Sequence, residues 1–164
     1  MQTLLALAMT AVLATPATTP SPLDALTGTG RITTLNGEVL SARDLRDRVV
    51  LVDVWATWCA PCLAEMPTLK RLHERHGDAL RIVGVNVDSL PRRDLRQWLA
   101  RKAITWPQLF DGRGLRGPLS TRLKVDSLPR SFLYDAEGRL VATDLRGEAL
   151  ARAVNTLVAR NQTR

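Results

Sequence analysis

The chain has 164 residues, enough for one domain with a hydrophobic core of its own. It has two cysteines that lie close together in the sequence, so a scaffold held by a framework of disulfides is excluded. The net charge is +7, and 20 of the 23 basic residues are arginine. Such a charge suits anionic membranes or acidic partners. Because the arginines are scattered, we interpret them as a solvated surface and predict no nucleic-acid partner.

The first 20 residues contain no charged side chain, and residues 4–14 form a largely apolar run. Its eleven residues are too few to cross a bilayer, which needs about 20. They suit the hydrophobic region of a signal peptide cleaved after Ala17, although no lysine or arginine precedes it. An uncleaved membrane tether and a disordered tail are the rival interpretations. We therefore predict a signal peptide or membrane tether plus a flexible segment in residues 1–22, and a folded domain in residues 23–164.

Two short elements open the predicted domain. Residues 31–40 are predicted to form a β-hairpin, because Asn36-Gly37 supplies the positive φ of a tight turn. Residues 41–45 are predicted to form a short helix capped by the serine at its start.

A strand and a helix are predicted next. Residues 49–55 are a β-branched, nearly all-apolar run, which predicts a strand buried on both faces. Apolar residues then recur at helical spacing and predict a helix from Cys59 to His76, kinked where Pro67 removes a backbone donor. Those apolar residues are Leu63, Met66, Leu69 and Leu72.

Both cysteines fall at the N-terminus of this helix. Unpaired N–H groups and the helix dipole favour an anion there, and hence a thiolate at Cys59. Cys62 lies one turn further on, close enough to attack a mixed disulfide formed at Cys59. A zinc site would need two more ligands, and the only histidines, His73 and His76, lie more than two turns away. We predict a reversible dithiol/disulfide pair, no bound metal and two solvated histidines.

Strands and helices alternate through the rest of the chain. Their order, which ends in a hairpin and a helix, predicts an α/β domain with a mixed central sheet flanked by helices. The predicted elements are a buried strand at 80–87, a helix at 90–102, a short strand at 106–110, a helix at 119–123, hairpin strands at 131–134 and 140–143, and a last helix at 148–159.

The region around the cysteines resembles the active-site segment of thioredoxin, with Asp53 six residues before the first cysteine and Pro67 five after the second. Residues 58–67, Trp-Cys-Ala-Pro-Cys-Leu-Ala-Glu-Met-Pro, are similar to the TlpA/ResA branch, the exported thioredoxin-like thiol–disulfide oxidoreductases. The likeness covers roughly residues 30–160. It includes the segments 85–88, 106–107 and 128–135. It implies a thioredoxin-like fold with an N-terminal β-hairpin.

The resemblance also implies roles for individual residues. It makes Cys59 the nucleophile and Cys62 the resolving thiol of a redox disulfide. It matches Pro129 to the cis-proline that faces the cysteines in thioredoxin folds, with Leu128 as an apolar wall beside the sulfurs. For Trp58, a cover over the disulfide and a plain core tryptophan are the two interpretations. The residues expected to contact substrate are Trp58, Ala60, Pro61, Leu128 and Pro129.

Two acids compete for the role of general base. Asp53 interrupts an apolar strand, and burial of its carboxyl group is costly unless the group holds a proton near neutral pH. It could then take the proton from Cys62; the alternative is an edge position that reaches water. Glu65 lies one turn after Cys62 on the same face, or else complements the dipole of its own helix. Much of the TlpA/ResA branch has no acid at the position of Asp53, so both residues stay candidates.

The predicted function is an exported, periplasmic thiol–disulfide oxidoreductase that is monomeric and needs no cofactor. We expect a reductase of envelope proteins with a CxxC pair, such as apocytochrome c, supplied with electrons by a membrane-bound thiol reductant. Arg130 stands where small hydroxylated residues are common, so substrate preference is left open. A disulfide oxidase or isomerase would differ only in redox potential. A non-enzymatic copper(I) chaperone is the alternative from another class.

Overall fold

The structure, a computed structural model, describes residue 24, residue 26 and residues 30–163. The predicted signal peptide or tether of residues 1–22 lies outside the described residues. Within the described part of the chain, no helix is both long and apolar enough to cross a bilayer.

The strands described here form a five-stranded mixed sheet and a separate two-stranded sheet. Their bounds are β1 Arg31–Thr33, β2 Val39–Ser41, β3 Val49–Trp55, β4 Leu80–Asn86, β5 Gln108–Phe110, β6 Arg130–Tyr134 and β7 Leu140–Thr143. The large sheet has the order β5-β4-β3-β6-β7. β3 is its central strand, parallel to β4 and antiparallel to β6, and every residue of β3 is buried. The prediction of a strand buried on both faces is confirmed.

Helices cover this sheet. Their bounds are α1 Ala60–His76, α2 Arg92–Arg101, α3 Pro118–Leu123 and α4 Gly147–Gln162, with single 3-10 turns at Ala42–Leu45, Gly77–Ala79 and Gly114–Arg116. α1 contacts both α4 and β4, while α4 also contacts β3. α1 and α4 are therefore neighbours over the centre of the sheet.

The N-terminal hairpin β1–β2 is also present, and its turn contains Gly37 at a φ of +91°. The Leu35 N–H donates to the Gln108 carbonyl at 2.7 Å, which ties the hairpin to the end strand β5. The mixed sheet, the flanking helices and this hairpin confirm the predicted fold class.

Two helices begin later than predicted. α1 begins at Ala60, with Cys59 as its N-cap residue in extended geometry, and it continues through Pro67. α2 begins at Arg92, and its N-cap is Pro91. The predicted start at Leu90 is wrong because a residue that precedes proline is disfavoured in helical geometry.

A glycine next to Asp53 allows close packing in the sheet. Gly84 of β4 is paired with Asp53 of β3. A Cβ atom on Gly84 would lie 2.1 Å from the Gln108 side-chain oxygen. That oxygen accepts a hydrogen bond from the Trp55 indole at 3.0 Å, so the missing side chain leaves room for the amide that holds Trp55.

Candidate redox site

Cys59 and Cys62 form a disulfide with a Cα–Cα distance of 5.3 Å. Both are buried, with 5% and 2% of their surfaces exposed. The Cys62 N–H donates to the Cys59 sulfur at 3.3 Å. Cys59 therefore lies where the first N–H groups of α1 point and where the helix dipole is positive. In the reduced protein this environment favours a thiolate at Cys59.

Two polar residues at the end of β4, Asn86 and Asp88, position the loop that leads to Cys59. Asp88 accepts hydrogen bonds from the Thr57 N–H at 3.0 Å and from the Thr57 hydroxyl at 2.9 Å. The Asn86 amide donates to Asp88 at 2.7 Å. Because β3 and β4 are parallel, their carboxyl ends meet at one edge of the sheet. In the sequence, Asn86 fell within the predicted strand 80–87, and segment 85–88 was part of the TlpA/ResA resemblance, but neither polar side chain was assigned a role.

The Leu128–Pro129 peptide bond is cis, as the resemblance implied. The antiparallel register places Arg130 opposite Val54. Pro129 is one residue before this pair and therefore lies beside the end of β3, from which the chain leads to Cys59. The structure thus brings the cysteines and the cis-proline segment to the same edge of the sheet.

The predicted substrate-contact residues surround this edge. Trp58 is 61% exposed, so the interpretation as a core tryptophan is wrong. Ala60 and Pro61 are exposed, and Leu128 and Pro129 are partly buried. An exposed aromatic side chain beside a buried disulfide provides apolar contact area for another protein.

Asp53 is buried in the middle of β3, with 5% of its surface exposed. The interpretation as an edge position that reaches water is therefore wrong. Burial raises the pKa of Asp53 to about 7, while the Arg146 guanidinium acts to lower it and the Glu65 carboxylate to raise it. Glu65 and Cys62 are three residues apart on α1 and share a face. Asp53 is therefore close enough to interact electrostatically with Glu65, which shares a face of α1 with Cys62.

Glu65 is bound to the start of another helix. Its two carboxylate oxygens accept the Gly147 N–H at 2.9 and 3.0 Å. Gly147 is the first residue of α4, so Glu65 complements the dipole of α4. The alternative interpretation, in which Glu65 complements the dipole of its own helix, is wrong. The contact also links α1 to α4 directly above the sheet.

Both histidines are partly buried, and each has a protein partner that was not predicted. The His73 ring nitrogen Nε2 lies 3.2 Å from the Thr105 hydroxyl, and the ring packs edge-on against Trp106. His76 Nε2 lies 2.7 Å from the Asn155 side-chain oxygen. These histidines occupy the flanks of α1, and neither lies in its cysteine-bearing first turn.

Two further residues at the site were missed by the sequence analysis. Arg146 immediately precedes α4, and its Nη1 atom donates to the Ser131 hydroxyl at 2.7 Å. Ser131 lies directly opposite Asp53 in the sheet. A lone serine in a short strand and one arginine among 20 carry no local signal, because only the register of β3 and β6 brings them to Asp53.

Several solved protein structures have a similar fold. A thiol-disulfide oxidoreductase from Bacteroides fragilis NCTC 9343 matches with a TM-score of 0.68 at 27% identity, over 77% of this chain and 95% of that chain. The thioredoxin domain of a thiol-disulfide oxidoreductase from Bacteroides vulgatus matches with a TM-score of 0.67 at 27% identity, over 78% of this chain and 91% of that chain. The fold and the disulfide place the chain among the thioredoxin-like proteins.

Within this class, the sequence pattern of the Redoxin family matches residues 15–157. The chain belongs to the Redoxin family.

Named relatives agree with this assignment. The thioredoxin-like protein YneN of Bacillus subtilis is 34% identical over 107 residues, which are 64% of this chain and 61% of YneN. A thiol-disulfide oxidoreductase ResA of Bacillus cereus is 29% identical over 112 residues, 67% of this chain and 62% of ResA. The chain thus spans about three fifths of the length of these two curated relatives. The ResA match confirms the TlpA/ResA resemblance.

The buried acid gives a prediction for stability. The pKa of Asp53 rises from 3.8 to about 7 on folding, so the folded state holds a proton that the unfolded state loses between these values. Stability from this group is present below about pH 4 and is lost as the pH rises through about 7. We expect Asp53→Asn to remove this loss, which at about 1.4 kcal/mol per pH unit is at most roughly 4 to 5 kcal/mol.

The measurement is urea unfolding of the oxidised protein at pH 5 and pH 8. The wild type should lose stability relative to Asp53→Asn between these pH values. Asp78→Asn is the control, because Asp78 is exposed and its substitution should leave the wild-type pH dependence unchanged. The same pH dependence in wild type and Asp53→Asn would contradict the assignment of a buried, protonated carboxyl group.

Proposed function

We propose that the chain is a thiol–disulfide oxidoreductase that reacts by mixed-disulfide exchange at Cys59 and Cys62. The observation that supports it best is the disulfide at the N-terminus of α1, beside the cis bond before Pro129. The Cys59 thiolate attacks a substrate disulfide, a Cys59–substrate bond forms, and the second substrate sulfur leaves as a thiolate. Cys62 then attacks the Cys59 sulfur, which restores the disulfide and releases the reduced substrate with both electrons of the dithiol.

Asp53 is the general base of the second step in this proposal. The Cys62 thiol must lose its proton as it attacks, and a base is most effective when its pKa lies near the working pH. The pKa of Asp53, which burial raises to about 7, meets that condition. Both Glu65 oxygens already accept the Gly147 N–H, which favours a supporting role for Glu65.

Substrate proteins bind at the edge formed by Trp58, Ala60, Pro61, Leu128 and Pro129. The exposed Trp58 ring offers an apolar contact, and the backbone next to the cis bond offers hydrogen-bonding groups to an extended peptide. Binding of this kind recognises the peptide backbone and apolar side chains, so it suits CxxC segments of unfolded or flexible proteins.

The proposed direction of transfer is reduction of substrate disulfides outside the cytoplasm. Support comes from the similarity of residues 58–67 to the exported TlpA/ResA branch and from the apolar run at residues 4–14. Apocytochrome c is the substrate that this resemblance favours. The oxidising compartment requires a dedicated electron supply, which we assign to a membrane-bound thiol reductant that acts on the monomeric protein.

The order of the two cysteines can be tested by trapping. Cys62→Ser should accumulate mixed disulfides with a CxxC peptide, because the resolving thiol is absent. Cys59→Ser, the matched control, should not, and iodoacetamide should label Cys59 faster than Cys62 in the reduced wild type. Mass spectrometry under non-reducing conditions measures both. Faster labelling of Cys62 across pH 5–8 would reverse the assignment.

The choice of base can be tested by stopped-flow kinetics. Asp53→Asn should slow the resolution of a mixed disulfide by Cys62 by about 10²-fold, the low end of general-base effects. Glu65→Gln keeps an oxygen acceptor for the Gly147 N–H and should slow this rate much less. Rates are measured at pH 7 with the same peptide for both variants. A larger loss from Glu65→Gln would transfer the role of base to Glu65.

Export can be tested in a bacterial host that expresses the whole chain. We expect the mature protein in the periplasm with an N-terminus near Thr18, because the apolar run suits a cleaved signal peptide. Cell fractionation and N-terminal sequencing measure this. A variant with Leu4→Arg and Leu5→Arg is the control and should stay unprocessed. Full-length wild type in the soluble cytoplasmic fraction would overturn the proposal of export.

A further inference from the structure

Arg146 lies next to the site, just before the first residue of α4, and its side chain is held in place by hydrogen bonds. It adopts extended geometry as the N-cap residue of α4, and its side chain is partly buried. Its Nη1 atom donates to the Ser131 hydroxyl and to the Leu145 carbonyl, both at 2.7 Å. Two hydrogen bonds from one end of the guanidinium group hold it in one orientation.

The Ser131 bond places this guanidinium on the same side of the sheet as Asp53. Ser131 and Asp53 are directly opposite in the antiparallel pair of β6 and β3. The Cβ atoms of such residues are about 4.5–5.5 Å apart, and their side chains share a face. Both residues are buried, with 3% and 5% of their surfaces exposed. The positive charge of Arg146, which Ser131 holds by a hydrogen bond, therefore acts on Asp53 with little screening by water.

Two charged side chains of opposite sign face Asp53 from the elements packed over it. Arg146 comes from the start of α4, and Glu65 comes from α1. On the neighbouring strand opposite β6, the partner of Asp53 is Gly84 of β4, which has no side chain. Within the described residues, Arg146 makes no ion pair, so no direct contact with a carboxylate neutralises its charge.

We propose that Arg146 is a positioning residue, held by Ser131, whose fixed positive charge beside Asp53 sets how readily that carboxyl group takes the proton from Cys62. This inference rests on the proposed function for the role of Asp53 in the reaction. Burial raises the pKa of Asp53 and so disfavours the ionised form that acts as a base. The positive charge of Arg146 opposes that effect. The next residue, Gly147, binds the carboxylate of Glu65 through its N–H, so this short segment positions one positive and one negative charge near Asp53.

The first test needs no redox reaction. The Asp53 carboxyl carbon is titrated by NMR in the oxidised protein, for the wild type and for Arg146→Gln, Arg146→Lys and Arg152→Gln. Arg146→Gln keeps an amide donor for Ser131 but removes the charge, so the midpoint should rise by about one pH unit, the low end of the effect of a nearby opposite charge. Arg146→Lys restores a charge and should return the midpoint toward the wild-type value.

Arg152→Gln is the matched control. Arg152 lies on the same helix, is exposed, and pairs with Glu148, so its substitution removes one charge but should not move the midpoint. An unchanged midpoint in folded Arg146→Gln would overturn the proposal. If Arg146→Gln does not fold, Ser131→Ala serves instead: it removes one hydrogen bond of the guanidinium and should raise the midpoint, and an unchanged value there would overturn the proposal.

The second test measures the pH profile of resolution by Cys62. The rate should rise with pH as Asp53 ionises, and Arg146→Gln should move this rise upward by the same amount as the titration, so that the rate at pH 6 falls by up to about tenfold. In an Asp53→Asn background, Arg146→Gln should have no further effect. An equal loss in that background would show a structural role and overturn the proposal. A shifted titration with an unchanged rate profile would instead reject Asp53 as the base.

Discussion

Burial of the Asp53 carboxyl group in the central strand is the constraint on which the rest of the site depends. β3 is buried along its whole length, so this carboxyl group has lost the water that would solvate its charge. The protein retains an acid there at a cost in stability, and the groups around it limit that cost. The Arg146 guanidinium supplies the opposite charge. The site therefore combines a buried acid, Asp53, with exposed residues such as Trp58.

Contacts between α1 and α4 position the charged groups around Asp53. Glu65 on α1 accepts the first N–H of α4, and the residue just before that N–H, Arg146, reaches Ser131 on β6. One short segment therefore connects the helix of the cysteines, the last helix and the sheet. A movement of α4 relative to α1 would change both charges near Asp53 at once. In the proposed mechanism, the helix that lies furthest from the cysteines in the sequence thus contributes to the control of their proton transfer.

The sequence predicted what depends on local pattern. The apolar run of β3 and the helical spacing after it placed Cys59 at a helix N-terminus, and the resemblance supplied the cis bond before Pro129. Contacts between distant segments were not predictable in this way. Neither interpretation of Glu65, as general base or as complement to the dipole of its own helix, included its contact with Gly147, which is 82 residues away in the chain. The histidines were read as solvated for the same reason, since Thr105 and Asn155 become their neighbours only after folding.

The two sulfurs are controlled by different parts of the structure. Cys59 depends on the N-terminus of α1, an environment that the local sequence creates. In the proposed mechanism Cys62 depends on Asp53, whose protonation is influenced by burial in β3 and by charges from α1 and α4. Nucleophilic attack and resolution can therefore be tuned separately: a change at Arg146 acts on the second step and leaves the helix end at Cys59 intact. The proposed mechanism needs that separation, because a mixed disulfide must form readily with substrate and yet be resolved before the complex is lost.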